Sequence, residues 1–309
     1  MKAKDRLRIL LEGGVPDVPP HFELVYQIED RVFGMPRCPE ITPRDLEDKD
    51  FEEKLIRQNI DLQKKLIETY EWAAVYPVYH SLRGIEELKK AVEKDALVFA
   101  FDWDGAFFMP DGNGIMDFVI KLFEEPQLLH QEARKKCDSA KIRLKQMADA
   151  GLDFFFFAYD FGYNEGPFIS PEHFKEIVTP YLTELVEFVH SMKMKVLLHS
   201  DGDLRLILDQ IYGTGIDGYQ SIDPQGHMDI RKVREEYPDW MLMGNVKTSM
   251  LQETDEEAIR LSVQKCMKYG GIGSRYVFST SNCIFAGMPP ESYHIMIDEY
   301  KKIISGDRV

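Results

Sequence analysis

Basic residues are in short supply: 38 lysines and arginines stand against 53 aspartates and glutamates, for a net charge of −15. A field of that sign repels nucleic-acid phosphates and anionic lipid headgroups, and no block of lysine and arginine interrupts it, so no nucleic-acid partner is expected. Cysteine is scarce as well. The thiols Cys38, Cys137, Cys266 and Cys283 show no CxxC spacing, which excludes a disulfide-stapled scaffold. With no apolar leader ahead of Asp5 and Arg6, a reducing cytoplasm is the expected compartment. Long apolar runs are also missing: Phe154 to Ala158 falls far short of the roughly 20 residues a spanning helix needs, so no membrane insertion is expected. No fixed-period repeat or low-complexity tract is present, which sets aside solenoids and linker-joined arrays.

What remains is ordinary globular composition, 44% hydrophobic and 29% charged over 309 residues, and the length suits one domain spanning 1–309. The opening KAKDRLRILLEGG reads as a short helix stopped by Gly13 and Gly14, so that 1–20 forms an N-terminal cap segment. Eight apolar runs follow: His21 to Tyr26, Trp72 to Tyr79, Ala96 to Trp103, Asp153 to Asp160, Lys195 to His199, Gly218 to Ile222, Trp240 to Asn245 and Tyr276 to Thr280. Helical patterns lie between them, clearest at Asp45 to Tyr70, Gln131 to Ala150, Pro171 to Met192, Leu204 to Tyr212, Asp255 to Tyr269 and Pro290 to Ile304. An irregular helix is expected between the second and third runs. Ser170 before Pro171 and Glu172, and Thr254 before Asp255, Glu256 and Glu257, carry helix-start chemistry. The alternation predicts the α/β class, parallel strands with crossover helices, and the count of eight predicts a (β/α)8 TIM-type barrel, with a doubly wound sheet as the structural alternative.

In such a barrel the carboxyl ends of the strands converge on one mouth. The segment KVLLHSDGD is the most informative, because a buried strand delivers His199 and then Asp201 before turning on Gly202. His199 suits a metal ligand, a general base or a structural imidazole. Asp201 suits a ligand, an orienting carboxylate or an Asx-type turn. Asp160 ends an apolar strand at a glycine-bearing loop and suits an acid or base. Asp102 and Asp104 flank Trp103, so alternation sends one to the mouth while the other caps the turn. Cys283, after the last strand, could be a soft ligand, a nucleophile or an inert buried thiol. Tyr79, His80, Trp103, Tyr159, Gln220 and Asn245 complete the mouth as substrate-binding candidates, with Phe107 and Phe108 as an apolar wall, and His227 reads as a surface histidine.

At these residues the chain resembles the uroporphyrinogen decarboxylase superfamily, which includes zinc- and cobalamin-linked methyltransferases. The resemblance runs through MKAKDRLRILLEGGVPDVPP, YDFGYNEGPFISPEHFKEIVTPY, VLLHSDGDLRLILDQIYGTGIDGYQSIDPQGHMDI, MLMGNVKTSML and FSTSNCIFAGMPPESY. The paired-arginine, glycine-rich motif of the decarboxylases is absent from HFELVYQIEDRVFGMPR, which has only Arg31 and Arg37. The methyltransferase branch carries His-x-Cys after the fifth strand and a further Cys after the eighth; here His199 and Cys283 match, and Asp201 replaces the first cysteine. The resemblance therefore implies a corrinoid-dependent methyltransferase. A methyl group would move between a small donor, of the methoxylated-aromatic kind, and a cobalamin carried on a partner corrinoid protein. His199, Asp201 and Cys283 would hold Zn²⁺ or polarise the ether oxygen, with Asp160 and Asp102 as proton donor or orienting group. A carboxy-lyase acting on a carboxylated substrate and a non-catalytic barrel are the alternatives. A homodimer is the commonest assembly for such a chain.

Overall fold

The computed structural model describes residues 1–39, 45–77, 81–107, 109, 110, 112 and 114–306. Among these residues seven parallel strands lie side by side in the order β1, β2, β3, β6, β7, β8, β9. They are β1 (Ala74–Val75), β2 (Leu97–Asp102), β3 (Phe154–Ala158), β6 (Lys195–His199), β7 (Gly218–Ser221), β8 (Met241–Val246) and β9 (Tyr276–Thr280); β4 (Gly162–Tyr163) and β5 (Gly166–Pro167) form a separate small hairpin. The gap between β9 and β1 is filled by the first apolar run. His21 bridges Phe278 in parallel, the Phe278 amide donates to Pro20 O at 2.9 Å, and the Ala73 amide donates to His21 O at 2.8 Å. The first run thus pairs along only a short stretch, yet it closes the ring of a TIM-type barrel.

Every residue of β2 and β3 is buried, because one side of each strand faces the barrel lumen and the other faces the helices. Register sorts the two sides. Phe99 pairs with Phe154 and Phe101 with Phe156, and Phe22, Phe99, Phe154 and Phe156 pack together with ring centroids 5.1–6.3 Å apart as the lumen core. Asp102 and Phe157 fall on the outer side, where Phe157 stacks on Tyr159.

The helices occupy the crossovers. Ala3–Leu11 turns Leu7, Leu10 and Leu11 inward under the amino ends of the strands, where Arg275, just ahead of β9, donates to Leu10 O at 2.9 Å. The expected irregular helix between the second and third runs is regular, Leu82–Val92, started by Ser81, whose Oγ accepts from the Gly84 amide at 2.9 Å. Ser170 caps as predicted, accepting from the His173 amide at 3.2 Å. Thr254 does not cap: it sits in the left-handed region at φ +58°, and Asp255 accepts from the Ala258 amide instead. A carboxylate next to the first turn is the better acceptor there. Among the described residues no helix is long and apolar enough to cross a membrane.

Candidate active site

Parity along three neighbouring strands builds the site. Ala158 pairs with His199, and His199 with Gln220, so all three share the lumen side set by Phe154 and Phe156. Asp160 and Asp201 come two residues after Ala158 and His199, again on that side. Their ligand atoms meet: His199 Nε2 lies 3.8 Å from Asp160 Oδ1 and 3.8 Å from Asp201 Oδ2, and one atom from each of the three residues falls within 4.8 Å of the others. His199 is buried while Asp160 stands at the solvent rim.

The loops after the strands lock this cluster. Asp160 Oδ1 accepts the Asp201 amide at 3.0 Å. Ser221 Oγ donates to Asp201 Oδ1 at 2.5 Å, and Asn282 Nδ2 donates to Asp201 Oδ2. Ser221 and Ile222 carry positive φ values of +99° and +48°, a strained bend of the sort that collects at functional sites. Gly202, at φ +87°, is required for close approach: a Cβ there would meet the Gly162 carbonyl carbon at 2.6 Å, so only glycine lets the HSDGD turn pack on the β4 hairpin. Burial, reinforced by the charges of Asp160 and Asp223, pushes the Asp201 carboxyl above its ordinary range, although His199 and the Ser221 hydroxyl oppose the shift.

Beside the cluster opens a cavity of about 920 Å³ at the carboxyl ends of the strands, within the range of drug-sized ligand sites. Its wall carries Tyr26, Tyr76, Phe101 and Trp103, with Cys283 facing in. Cys283 follows Asn282, the residue that holds Asp201, so cavity and cluster share one loop. Burial first, then the charges of Asp201, Glu23 and Asp160, push the Cys283 thiol up to about 12, which keeps it protonated.

The expected residues divide accordingly. His199, Asp160 and Asp201 come together, and Trp103 and Cys283 line the cavity. Among the described residues His199, Asp160 and Asp201 are the group whose ligand atoms lie close enough to share a metal ion, and Cys283, the thiol of the zinc set implied by the resemblance, is not in that group. Asp102 lies on the outer side, its carboxylate accepting from Arg143 at 2.9 Å, the Gly105 amide at 3.1 Å and the Tyr159 hydroxyl. Neither Asp102 nor Asp104 turns to the mouth; Asp104 also reaches toward Arg143, at 3.8 Å, and Trp103 between them is the mouth residue. Asn245 spends its amide on Ile222 O at 2.9 Å and on the Cys266 thiol at 3.3 Å. Gln220 is equally committed, with Nε2 donating to Thr280 O and Ser281 O at 3.2 and 3.3 Å and Oε1 on His199 Nδ1. Phe107 packs on Phe118 and Phe161, and His227 is exposed. Tyr79, His80 and Phe108 lie outside the described residues.

Tyr26, Tyr76 and Glu29 line the cavity without having been anticipated. The sequence hides Tyr76 because the second apolar run continues to Tyr79, whereas β1 ends at Val75. Glu23, behind the cavity wall, is fully buried, with Oε2 accepting from Ser279 Oγ at 2.8 Å, Thr280 N at 3.0 Å and Thr280 Oγ1 at 2.7 Å.

A TIM-type barrel with an imidazole–carboxylate cluster and an aromatic cavity at its mouth has the layout of an enzyme of that fold. The uroporphyrinogen decarboxylase (URO-D) family model matches residues 47–303, and the chain belongs to that family. Among curated proteins it is 26% identical over 232 residues to uroporphyrinogen decarboxylase from Pseudoalteromonas atlantica, covering 72% of this chain and 63% of that protein. It is 29% identical over 204 residues to the Psychromonas ingrahamii decarboxylase, covering 63% and 55%. The matched stretches thus span less than two thirds of those relatives' lengths. Among solved structures, a methyltransferase from Methanosarcina mazei superposes with a TM-score of 0.76 at 16% identity, covering 98% of this chain and 99% of that one, which establishes a shared fold.

Proposed function

We propose that the chain is a corrinoid-dependent methyltransferase that takes a methyl group from a small donor of the methoxylated-aromatic class. The observation that carries this is an aromatic cavity whose polar edge, Cys283, shares a loop with the His199 cluster. Tyr26, Tyr76, Phe101 and Trp103 offer ring faces and edges to a planar arene. The full-length similarity to a methyltransferase barrel agrees with this reading. A cavity of drug-sized volume cannot enclose a corrin macrocycle with its axial arm, so the corrinoid would stay on a partner protein over the mouth, where it would supply the nucleophile for the methyl group.

This chain's own part is orientation and charge. The aromatic wall holds the arene with its methoxy group toward Cys283, whose protonated thiol donates a hydrogen bond to the departing oxygen as the methyl–oxygen bond breaks. Asp160, at the rim, connects the site to solvent and returns the proton the phenol product requires. No step is routed through a metal ion.

The carboxy-lyase alternative finds less support. A polycarboxylate substrate needs several cations, and the cavity wall offers Arg37 alone among the described residues, itself 3.5 Å from Asp30. Incubating the purified chain with cob(I)alamin and guaiacol tests the proposal by visible absorption. Conversion to methylcobalamin with release of catechol is expected. Release of carbon dioxide from a carboxylated substrate with no corrinoid present, and no methyl transfer from guaiacol or other methyl donors, would overturn it.

A further inference from the structure

We infer that Glu29 selects the methyl donor: its carboxylate accepts a ring hydroxyl, so the cavity takes methoxyphenols in preference to arenes whose oxygens are all methylated. The inference rests on the reading of the aromatic cavity as the donor site and names the polar group the donor carries.

A buried acceptor without a partner forfeits the hydrogen bonds it would make to water, so each one in a folded protein asks for a reason. Among the described residues two buried carboxylate oxygens lack a partner, Glu23 Oε1 and Glu29 Oε2. They differ in what lies beside them. Glu23 sits behind the cavity wall, its other oxygen accepting three bonds from Ser279 and Thr280. Glu29 is part of the wall itself, in the same cavity as Tyr26, Tyr76, Trp103 and Cys283.

Glu29 opens the helix Glu29–Phe33 and is only 3% exposed. The backbone amides of Glu29 and Cys38 donate to its carboxylate, which fixes the side chain while Oε2 stays unpartnered. Arg37, the cation on the wall among the described residues, lies 3.5 Å from Asp30 and makes no hydrogen bond to Oε2. Burial raises the Glu29 carboxyl above its ordinary range, opposed by those two amides and by Arg37; the charged form is short of donors, and a ligand O–H supplies one. A methoxy oxygen has no proton to give. A ring hydroxyl does, and it reaches Oε2 from an arene held by the aromatic wall with its methoxy group toward Cys283.

Titration calorimetry of the full chain without corrinoid, comparing each methoxyphenol isomer with the corresponding dimethoxybenzene, tests this. For at least one pair the phenol binds about tenfold or more tighter, and the pair that discriminates most reports the span from Oε2 to the methoxy end. Glu29→Leu brings that pair to within about twofold by weakening the phenol and not the dimethoxybenzene. Glu29→Gln keeps the side-chain length and an oxygen for the backbone amides; it lowers the ratio by about threefold or more and decides the matter should the leucine variant fail to fold. A merely structural glutamate would weaken both members of a pair together. Equal affinity within every pair in the native chain, binding of no methoxyphenol, or a ratio unchanged in Glu29→Gln would overturn the inference. Its failure is distinguishable from that of the proposed function: methyl transfer to cob(I)alamin at equal rates from phenol and dimethoxybenzene overturns the selection alone, and Glu29-dependent binding without methyl transfer overturns the function alone.

Discussion

Two buried histidines in this barrel, His21 and His199, stand beside carboxylates and differ in how their nitrogens are used. His21 donates from Nδ1 to Phe278 O at 3.0 Å and takes the Tyr293 hydroxyl on Nε2 at 3.0 Å. Aromatic rings from Trp72, Phe278, Tyr293 and Tyr300 surround it. Both nitrogens are satisfied by the protein, so this imidazole welds the seam where the ring closes. His199 satisfies one nitrogen and presents the other to two acids at a solvent-facing rim. The lesson is that burial does not distinguish a structural histidine from a functional one, whereas an account of each ring nitrogen does.

The largest effect that would sharpen this contrast is on stability. His21→Ala removes two buried hydrogen bonds and leaves a cavity among aromatic rings, and should cost roughly 3–4 kcal/mol in urea unfolding, against about 1 kcal/mol for His199→Ala. Equal costs would break the comparison.

The seam should also respond to pH, because burial acts oppositely on its acid and base. Burial raises the Glu23 carboxyl from 4.5 to about 7, so the unfolded chain loses this proton first and stability declines as pH rises from about 4.5 to 7. Burial lowers the His21 imidazole from 6.5 to about 4, so the unfolded chain gains a proton first and stability declines as pH falls from about 6.5 to 4. The His21 contribution rises over part of the same range in both chains, so the effect is read as a difference: relative to the native chain, Glu23→Gln should gain on the order of 3 kcal/mol between pH 5 and 8, from midpoints of denaturant unfolding. A difference between the two chains that does not change with pH would contradict the assignment.

The outer side of the strands gives a smaller effect. Arg143→Met leaves the buried Asp102 carboxylate without its cation and should destabilise by about 2 kcal/mol, half-exposure of the arginine reducing the loss. Methyl transfer from guaiacol should stay the same, because Asp102 belongs to the helix-facing layer. Smallest of all, Ser170→Ala removes an exposed helix cap and should cost about 1 kcal/mol.

The barrel was legible in the sequence because strands buried on both sides leave continuous apolar runs, of which FFFFA is the clearest. The run His21 to Tyr26 reads as a strand, whereas the structure gives it only the isolated bridges His21–Phe278 and Tyr26–Ile284. His199, Asp160 and Asp201 could be chosen from sequence since each directly follows or ends such a run. The orientation of Asp102 could not, because the lumen side of β2 is fixed only once Phe99 is registered against Phe154. Gln220 illustrates the same limit. Its place at a strand end suggested substrate, but its register opposite His199 and the carbonyls of Thr280 and Ser281 give it a positioning role. Nor does spacing reveal that Asn282 reaches Asp201 while its neighbour Cys283 turns into the cavity.

The most direct test follows the ring nitrogens themselves, by ¹⁵N NMR of the histidine side chains while guaiacol is added to the chain. The His199 ring resonances should shift as the mouth fills while the His21 signals remain fixed. A His199 ring that is unaffected by the arene, or a His21 ring that responds to it, would contradict the distinction between mouth and seam.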